Sequence, residues 1–236
     1  MTSYALSKSA ICNYQLAGDI TLINGDNREA QQIAEKATGQ KIFYYAREVP
    51  MGNYPHLLGQ HNLENMAAIV GLARVLGLSM DAVIKCFRQY PGLPFRLENR
   101  GIVKGVTYIN DTTATTPTAT EKAIDTISSS TILIIGGAEK LLPTESLYKK
   151  IAASAHIKSV VVLGGLTNSS LNKALQTTLA HKFVGRALTM SEAVALATNL
   201  AIAQDTILFS PAFASFDLFK NEFDRGRQFN DAVSRL

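Results

Sequence analysis

Five short runs in this 236-residue chain combine residue types that could do chemistry. Lys140 closes Gly136-Gly137-Ala138-Glu139-Lys140, where an apolar stretch gives way to two glycines and a lysine. The glycines permit close backbone approach, and the lysine supplies a point charge. Asn110-Asp111-Thr112-Thr113-Ala114-Thr115-Thr116 offers a carboxylate that can accept from a sugar hydroxyl. Its threonines stand at a helix start, where free N–H groups suit an anion; redundant capping is the plainer alternative. Ser215-Phe216-Asp217 follows the apolar run Thr206 to Phe209. Ser215 stands where an N-cap hydroxyl belongs, Asp217 falls in the first turn, and Phe216, Phe219 and Phe223 share one helical face. Arg96, in Leu93-Pro94-Phe95-Arg96-Leu97-Glu98, can fork two hydrogen bonds to a phosphate or carboxylate, or pair with a nearby glutamate. Asn62 and Asn65, in His61-Asn62-Leu63-Glu64-Asn65, are neighbours on one helical face. Their amides suit a base edge or a phosphate-bound ligand, although Asn62 could equally be an N-cap.

The elements that must position these groups are legible as alternating apolar runs and helical patterns. Ile20 to Ile23 reads as a buried strand, Asp26 to Thr38 as a polar helix, and Ile42 to Tyr45 as a second strand. Helices follow over Asn62 to Leu76 and Met80 to Tyr90, the second with Ser79 as N-cap. Pro91-Gly92-Leu93-Pro94 punctuates the chain and divides it into 1–93 and 94–236. Beyond it, Val106 to Ile109, Thr131 to Ile135, Val160 to Leu163 and Thr206 to Phe209 read as strands. Helices are predicted over Pro117 to Ile127 (Thr116 as N-cap), Leu147 to Ala155, Ser191 to Ala203, and Phe216 towards Val233. Near-continuous apolar strands separated by helices predict an α/β fold with a mostly parallel sheet and helices on both faces. Ligands of such sheets gather beyond the carboxyl ends of the strands, where three of the five runs lie.

Composition excludes several classes. A net charge of +4, dispersed along the chain, gives no nucleic-acid footprint. No apolar run reaches the roughly 20 residues of a membrane span, and Met1-Thr2-Ser3-Tyr4 lacks a signal-peptide pattern, so a cytoplasmic protein is expected. Cys12 and Cys86 have no metal-ligand spacing, and His56, His156 and His181 show no evident partners. Gly164-Gly165 reads as a structural turn with no charged partner. HExxH, GxSxG and GxGxxG are absent, and no metal site is expected from this chain alone.

In order and wording, HNLEN, LPFRLE, NDTTAT, GGAEK and SPAFASFDLFKN with Asp224-Arg225-Gly226 closely resemble the C-terminal part of a Mur ligase, of the D-glutamate-adding branch. The resemblance runs from about Tyr4 to the C-terminus. It implies the C-terminal part of an α/β ATPase central domain (1–93) followed by a Rossmann-like amino-acid-binding domain (94–236). The implied reaction is ATP-dependent: the carboxylate of UDP-N-acetylmuramoyl-L-alanine becomes an acyl phosphate, which the amine of D-glutamate attacks. By position, Asn62, Asn65, Arg96 and Asp111 would meet the nucleotide, and Thr115, Lys140, Ser215 and Phe216 would form the D-glutamate pocket. ATP and Mg would be the cofactors, held mostly by residues outside this chain. Thr112-Thr113 replaces the Ser-Lys that often follows the Asn-Asp pair, and Glu222 stands where an aromatic is expected. No GxxxxGK[ST] phosphate loop occurs, so the missing N-terminal half of the enzyme is expected as a partner and the chain alone as inactive. Two other readings stay open: a non-catalytic binding module, and another ligase of the superfamily such as a folylpolyglutamate synthetase.

Overall fold

A computed structural model describes residues 7–165, 168–216 and 218–236. Asp217, and the Tyr4-Ala5-Leu6 start of the resemblance, lie outside the described residues. The chain divides into two compact units, Met1–Pro91 and Gly92–Leu236.

In the first unit, β1 (Ile20–Asn24) and β2 (Gln40–Tyr44) pair in parallel, with Ile20 opposite Gln40. Between them runs α1 (Arg28–Ala34), shorter than its polar pattern suggests; Asn27 Oδ1 caps it by accepting from Ala30 N at 2.9 Å. The expectation of a buried first strand is corrected: only Ile23 is buried, and Ile20 is 43 % exposed. Among the described residues β1 pairs only with β2, and most of its side chains are exposed or half-buried. The two longer helices, α2 (Gln60–Val75) and α3 (Met80–Gln89), supply Met66, Val70, Ala73, Val83 and Phe87 to this unit's core, which Tyr54 joins from the segment before α2. Tyr54 meets Phe87 edge-on at 5.7 Å, a favoured aromatic geometry. The cap of α2 is Gly59, so Asn62 is not an N-cap; its Nδ2 donates to Leu58 O instead. Ser79 does precede α3 in an extended conformation, without a side-chain cap bond.

The second unit is a six-stranded sheet of order β3-β4-β8-β5-β6-β7. Its strands are β3 (Glu98–Val103), β4 (Val106–Asn110), β5 (Thr131–Gly136), β6 (Ile157–Leu163), β7 (Phe183–Ala187) and β8 (Thr206–Ala212). All pairings are parallel except β3 with β4. Helices α4 (Pro117–Thr126), α5 (Glu145–Ala153) and α6 (Ser169–Gln176) follow β4, β5 and β6; α7 (Met190–Leu200) precedes β8, and α8 (Glu222–Val233) closes the chain.

The side-chain period of two sorts the sheet into two cores. Leu133, Ile135, Val160, Val162 and Leu208 pack with Ile124, Leu147, Ile151 and Leu171 of α4, α5 and α6. Ile132, Ile134, Val161, Ile207 and Phe209 pack with Met190, Val194 and Ala197 of α7 and with Phe229 and Val233 of α8. The connections β4 to β5, β5 to β6 and β6 to β7 advance in one direction and place their helices on one face. The return from β7 to β8 places α7 on the other, as a fixed crossover hand requires. Strand β8 therefore sits at a topological switch point, flanked by β4 and β5. The chain after β4 and β5 leads to helices on one face and the chain after β8 to α8 on the other, the arrangement beside which ligands of such sheets gather.

Several boundaries and elements differ from the sequence expectation. The last helix begins at Glu222, not Phe216, because Asn221 rather than Ser215 is its cap: Asn221 Oδ1 accepts from Asp224 N at 2.8 Å. Ser215 lies in a turn, its carbonyl accepting from Phe219 N at 3.0 Å. Of the three aromatics, only Phe223 is helical; Phe219 packs against the second core, while Phe216 is 73 % exposed. Strands β3 and β7 and helix α6 were not expected from the sequence. Thr116 does cap α4, with Pro117 at the first helical position. Among the described residues, no helix is long and apolar enough to cross a membrane.

Candidate functional site

The loops that follow β4, β5 and β8 meet at the carboxyl edge of the sheet. An isolated bridge joins two of them: Ala138 N donates to Ala214 O at 2.9 Å, and Ala214 N to Ala138 O at 3.0 Å. This contact needs glycine beside it. Gly137 has φ +132°, and a Cβ there would stand 2.2 Å from Ala214 O; at Gly136 one would stand 2.0 Å from Leu163 O. Lys140 follows Ala138 by two residues and Ser215 follows Ala214 by one, so both flank the same bridge. Across to the third loop, Lys140 Nζ donates to Thr115 Oγ1 at 3.0 Å. Lys140 also lines a small depression with Pro117, Glu139, Leu142, Thr144, Ala212 and Phe213; Ser215, only 2 % exposed, does not line it.

Arg225 locks this corner. Its side chain is fully buried beneath the loops. Nε donates to Thr112 Oγ1 at 3.0 Å, one terminal nitrogen to Thr112 O at 2.9 Å, and the other to Phe213 O at 3.1 Å. One planar fork thus ties the loop after β4 to the loop after β8. Asn110 adds a second tie, with Nδ2 donating to Gly226 O at 2.9 Å and to Asn230 Oδ1 at 2.7 Å. Neither residue was among the expected site residues, although both lie in the Asn110-Asp111 and Asp224-Arg225-Gly226 runs. A buried arginine on the inner face of a helix is invisible to hydrophobic periodicity.

Asp111 is 4 % exposed, and both of its oxygens are engaged: Oδ1 accepts from Leu97 N at 3.1 Å and Oδ2 from Ser210 Oγ at 2.8 Å. As placed, it anchors the Phe95-Arg96-Leu97 turn rather than facing an open surface. Thr113 helps: its N and its hydroxyl both donate to Phe95 O, at 3.2 and 2.9 Å. These bonds hold Phe95 and Leu97 in the left-handed region, with φ of 66° and 45°. Such non-glycine conformations cost about 1–3 kcal/mol each and persist only where the surroundings impose them. The result presents Arg96 to solvent. The alternative of an Arg96–glutamate pair is not what forms: Glu98 takes Arg100 at 2.8 Å and the Phe95 N–H at 2.8 Å.

Burial pushes the Asp111 carboxyl up from 3.8 to about 6, against the Ser210 hydroxyl, the Leu97 amide and the Arg96 charge, which pull it down. The folded state therefore holds this proton more tightly than the unfolded chain. The stabilisation is fully present below 3.8 and is lost as pH rises through about 6. Relative to Asp111→Asn, the wild type should lose up to about 3 kcal/mol between about pH 4 and pH 8. Urea unfolding of both proteins across that range measures it; a pH-independent difference would return the carboxyl to its ordinary value.

Two smaller expectations are corrected. Gly164-Gly165 does have a charged partner, since one terminal nitrogen of Arg186 on β7 donates to both carbonyls. His156 Nε2 is paired with Ile124 O at 3.1 Å. In the first unit, Asn62 is half-buried and Asn65 exposed, both on α2. Among the described residues, no group of three or more His, Cys, Asp or Glu could hold a metal ion. With no phosphate loop in the sequence either, the residues present do not by themselves build a Mg–ATP site.

Residues 95–213, which include the loops after β4 and β5 and end just past β8, match the family described as "Mur ligase, glutamate ligase domain". The chain belongs to the Mur ligase family. Among curated proteins, it is 31 % identical over 265 residues to the UDP-N-acetylmuramoylalanine--D-glutamate ligase of Roseiflexus sp. (strain RS-1), covering 99 % of this chain and 56 % of that protein. The ligase of the same name from Alkaliphilus metalliredigens (strain QYMF) is 37 % identical over 180 residues, covering 76 % of this chain and 39 % of that one. The chain thus covers 56 % of the first of these relatives and 39 % of the second, well short of their full length. Among solved structures, MurF from Acinetobacter baumannii superposes with TM-score 0.70 at 19 % identity, covering 98 % of this chain and 55 % of that chain. MurF ligase from Thermotoga maritima in complex with ADP gives 0.70 at 15 %, covering 98 % and 57 %. These two likenesses show a shared fold.

Proposed function

We propose that this chain forms the amino-acid-binding end, and part of the nucleotide site, of an ATP-dependent ligase that joins D-glutamate to UDP-N-acetylmuramoyl-L-alanine through an acyl phosphate, in peptidoglycan precursor synthesis. The observation that carries this reading is the corner where Lys140 reaches Thr115 beside the Ala138–Ala214 bridge. A fixed ammonium flanked by a hydroxyl suits the side-chain carboxylate of an acidic amino acid, because an ionised acceptor strengthens each hydrogen bond. The name shared by the curated relatives supports D-glutamate as that amino acid.

In this reading Gly92–Leu236 is the amino-acid-binding domain and Met1–Pro91 belongs to the ATP-binding domain. Thr115 and Lys140 hold the D-glutamate side chain. Ser215, beside the bridge, and Phe216, whose ring is solvent-exposed, contribute from the loop after β8. Asn62, Asn65 and Arg96 meet the nucleotide. Asp111 places Arg96 through Leu97, and reaches a ribose hydroxyl only if that turn opens. ATP would supply its γ-phosphoryl group to the acceptor carboxylate, leaving ADP and an acyl phosphate (a mixed anhydride), and Mg2+ would supply charge neutralisation; the residues that would hold them are proposed to lie mostly in parts of the ligase outside this chain.

The test is phosphate release. The chain alone, given ATP, Mg2+, UDP-N-acetylmuramoyl-L-alanine and D-glutamate, should release none. A complete ligase carrying it should release phosphate only when D-glutamate and the muramoyl substrate are both present. Turnover by the isolated chain, or release indifferent to D-glutamate, would contradict the proposal.

A further inference from the structure

Ser210, fully buried near the end of β8, stands between two other buried polar groups. Its Oγ is 2.8 Å from Asp111 Oδ2, just after β4, and 3.0 Å from Thr120 Oγ1 on α4. Thr120 Oγ1 in turn donates to Ser210 O at 3.2 Å. A serine hydroxyl carries one proton and cannot give it to both neighbours at once. When Asp111 is ionised, its carboxylate is the stronger acceptor and takes that proton. When Asp111 is protonated, the carboxyl donates to Ser210, Ser210 to Thr120, and Thr120 to Ser210 O, so no buried proton is stranded. The other carboxylate oxygen, Oδ1, accepts from Leu97 N. Leu97 and Phe95 flank the exposed Arg96, both with positive φ, and Asp111 holds the Leu97 side of this turn while Thr113 and Glu98 hold the Phe95 side. The charged groups around Asp111 are Arg96 on the turn, Glu98 beyond it and Arg225 of α8, which bonds Thr112; Arg96 is the one that favours the ionised carboxylate. From β8 and α4 the contacts to this group are hydroxyls, not charges.

We infer that Ser210 is a positioning residue: its hydroxyl fixes the Asp111 carboxylate so that Oδ1 stays on the Leu97 amide and the turn keeps Arg96 aimed at the nucleotide, a role that rests on the nucleotide contact proposed above for Arg96. Ser210 touches no substrate. It acts through Asp111, and its hydrogen bond favours the ionised form, which grips the Leu97 amide more strongly than a neutral carboxyl would. Removing the hydroxyl therefore loosens the turn most where Asp111 is close to taking up a proton.

The experiment has two arms. In the first, NMR of the labelled chain follows the Asp111 carboxyl carbon and the Leu97 amide against pH. In wild type both should titrate together, with a midpoint of about 6. Ser210→Ala should bind the Asp111 proton about tenfold or more tightly, moving both midpoints up by about one pH unit or more. Ser210→Cys, which fills the site with a weaker donor, should move them less and in the same direction. In the second arm, a complete ligase carrying Ser210→Ala should have its kcat/KM for ATP lowered by up to about fivefold at pH 6 and should rejoin wild type above about pH 8, because a tenfold tighter proton leaves about a tenth rather than half of Asp111 ionised at pH 6. KM for D-glutamate should not follow that profile. A Leu97 amide indifferent to Asp111, unmoved midpoints, or a loss for ATP that is the same at every pH would overturn the role of Ser210. Arg96→Ala separates the two layers: if it leaves KM for ATP unchanged, the nucleotide contact itself fails and the inference falls with it.

Discussion

Replacing Arg225 with alanine should destabilise the Gly92–Leu236 unit by about 3–5 kcal/mol, the largest effect expected of any single side chain here. The reason is the accounting of buried acceptors. Thr112 Oγ1, Thr112 O and Phe213 O all take their hydrogen bonds from this guanidinium. Without it each loses a partner in a site closed to water, at about 1–3 kcal/mol apiece, partly offset by relief from burying a cation. Arg225→Lys should recover less than half, because one ammonium cannot span both loops. Arg227→Ala, on the exposed side of the same helix, should fall within about 0.5 kcal/mol of wild type. Urea unfolding followed by far-ultraviolet circular dichroism measures all three. A loss of under 1 kcal/mol for Arg225→Ala would mean that the loops after β4 and β8 hold their places without it.

The second large effect concerns function. In a complete ligase carrying this chain, Lys140→Ala should lower kcat/KM for D-glutamate by roughly 10- to 150-fold, corresponding to about 1.5–3 kcal/mol for a hydrogen bond to a charged group. The loss should fall mainly on KM for D-glutamate, leaving KM for ATP near its starting value, because Lys140 sits against Thr115 and the bridge rather than against Arg96. Steady-state kinetics with each substrate varied in turn gives the split. Unchanged D-glutamate kinetics would remove Lys140 from the pocket.

Much of the second unit was legible because its central strands are buried on both faces and read as continuous apolar runs. β5 is buried at every position, and so is β8. Edge position erased that signal elsewhere. β3 is exposed or half-buried throughout and carries Arg100 and Gly101 within it; β7 is exposed at Phe183 and Val184. The last helix was misplaced because aromatic spacing at 216, 219 and 223 imitates a helical face. The face that α8 actually buries is Arg225, Gly226, Phe229, Ala232 and Val233. Its start is set instead by Asn221, whose side chain caps it, and the residues before it turn back over the second core through Phe219.

The candidate site divides in the same way. Residue types pointed to the threonine run and to Lys140 because each lies just past a strand end, where local sequence is informative; Thr115 itself was singled out by the resemblance. The contacts that make a site of them are non-local. Lys140 and Thr115 are 25 residues apart, Asp111 and Ser210 are 99 apart, and Arg225 and Thr112 are 113 apart. Only the strand order, which inserts β8 between β4 and β5, brings these loops side by side. The partner of Gly164-Gly165 was missed because Arg186 lies on an edge strand with no apolar pattern.

A structure of this chain, or of a ligase containing it, with D-glutamate bound tests the central claim most directly. The account predicts the side-chain carboxylate about 2.7–3.2 Å from Lys140 Nζ, within reach of Thr115 Oγ1. D-glutamate seated elsewhere, with the Lys140–Thr115 hydrogen bond undisturbed, would contradict it.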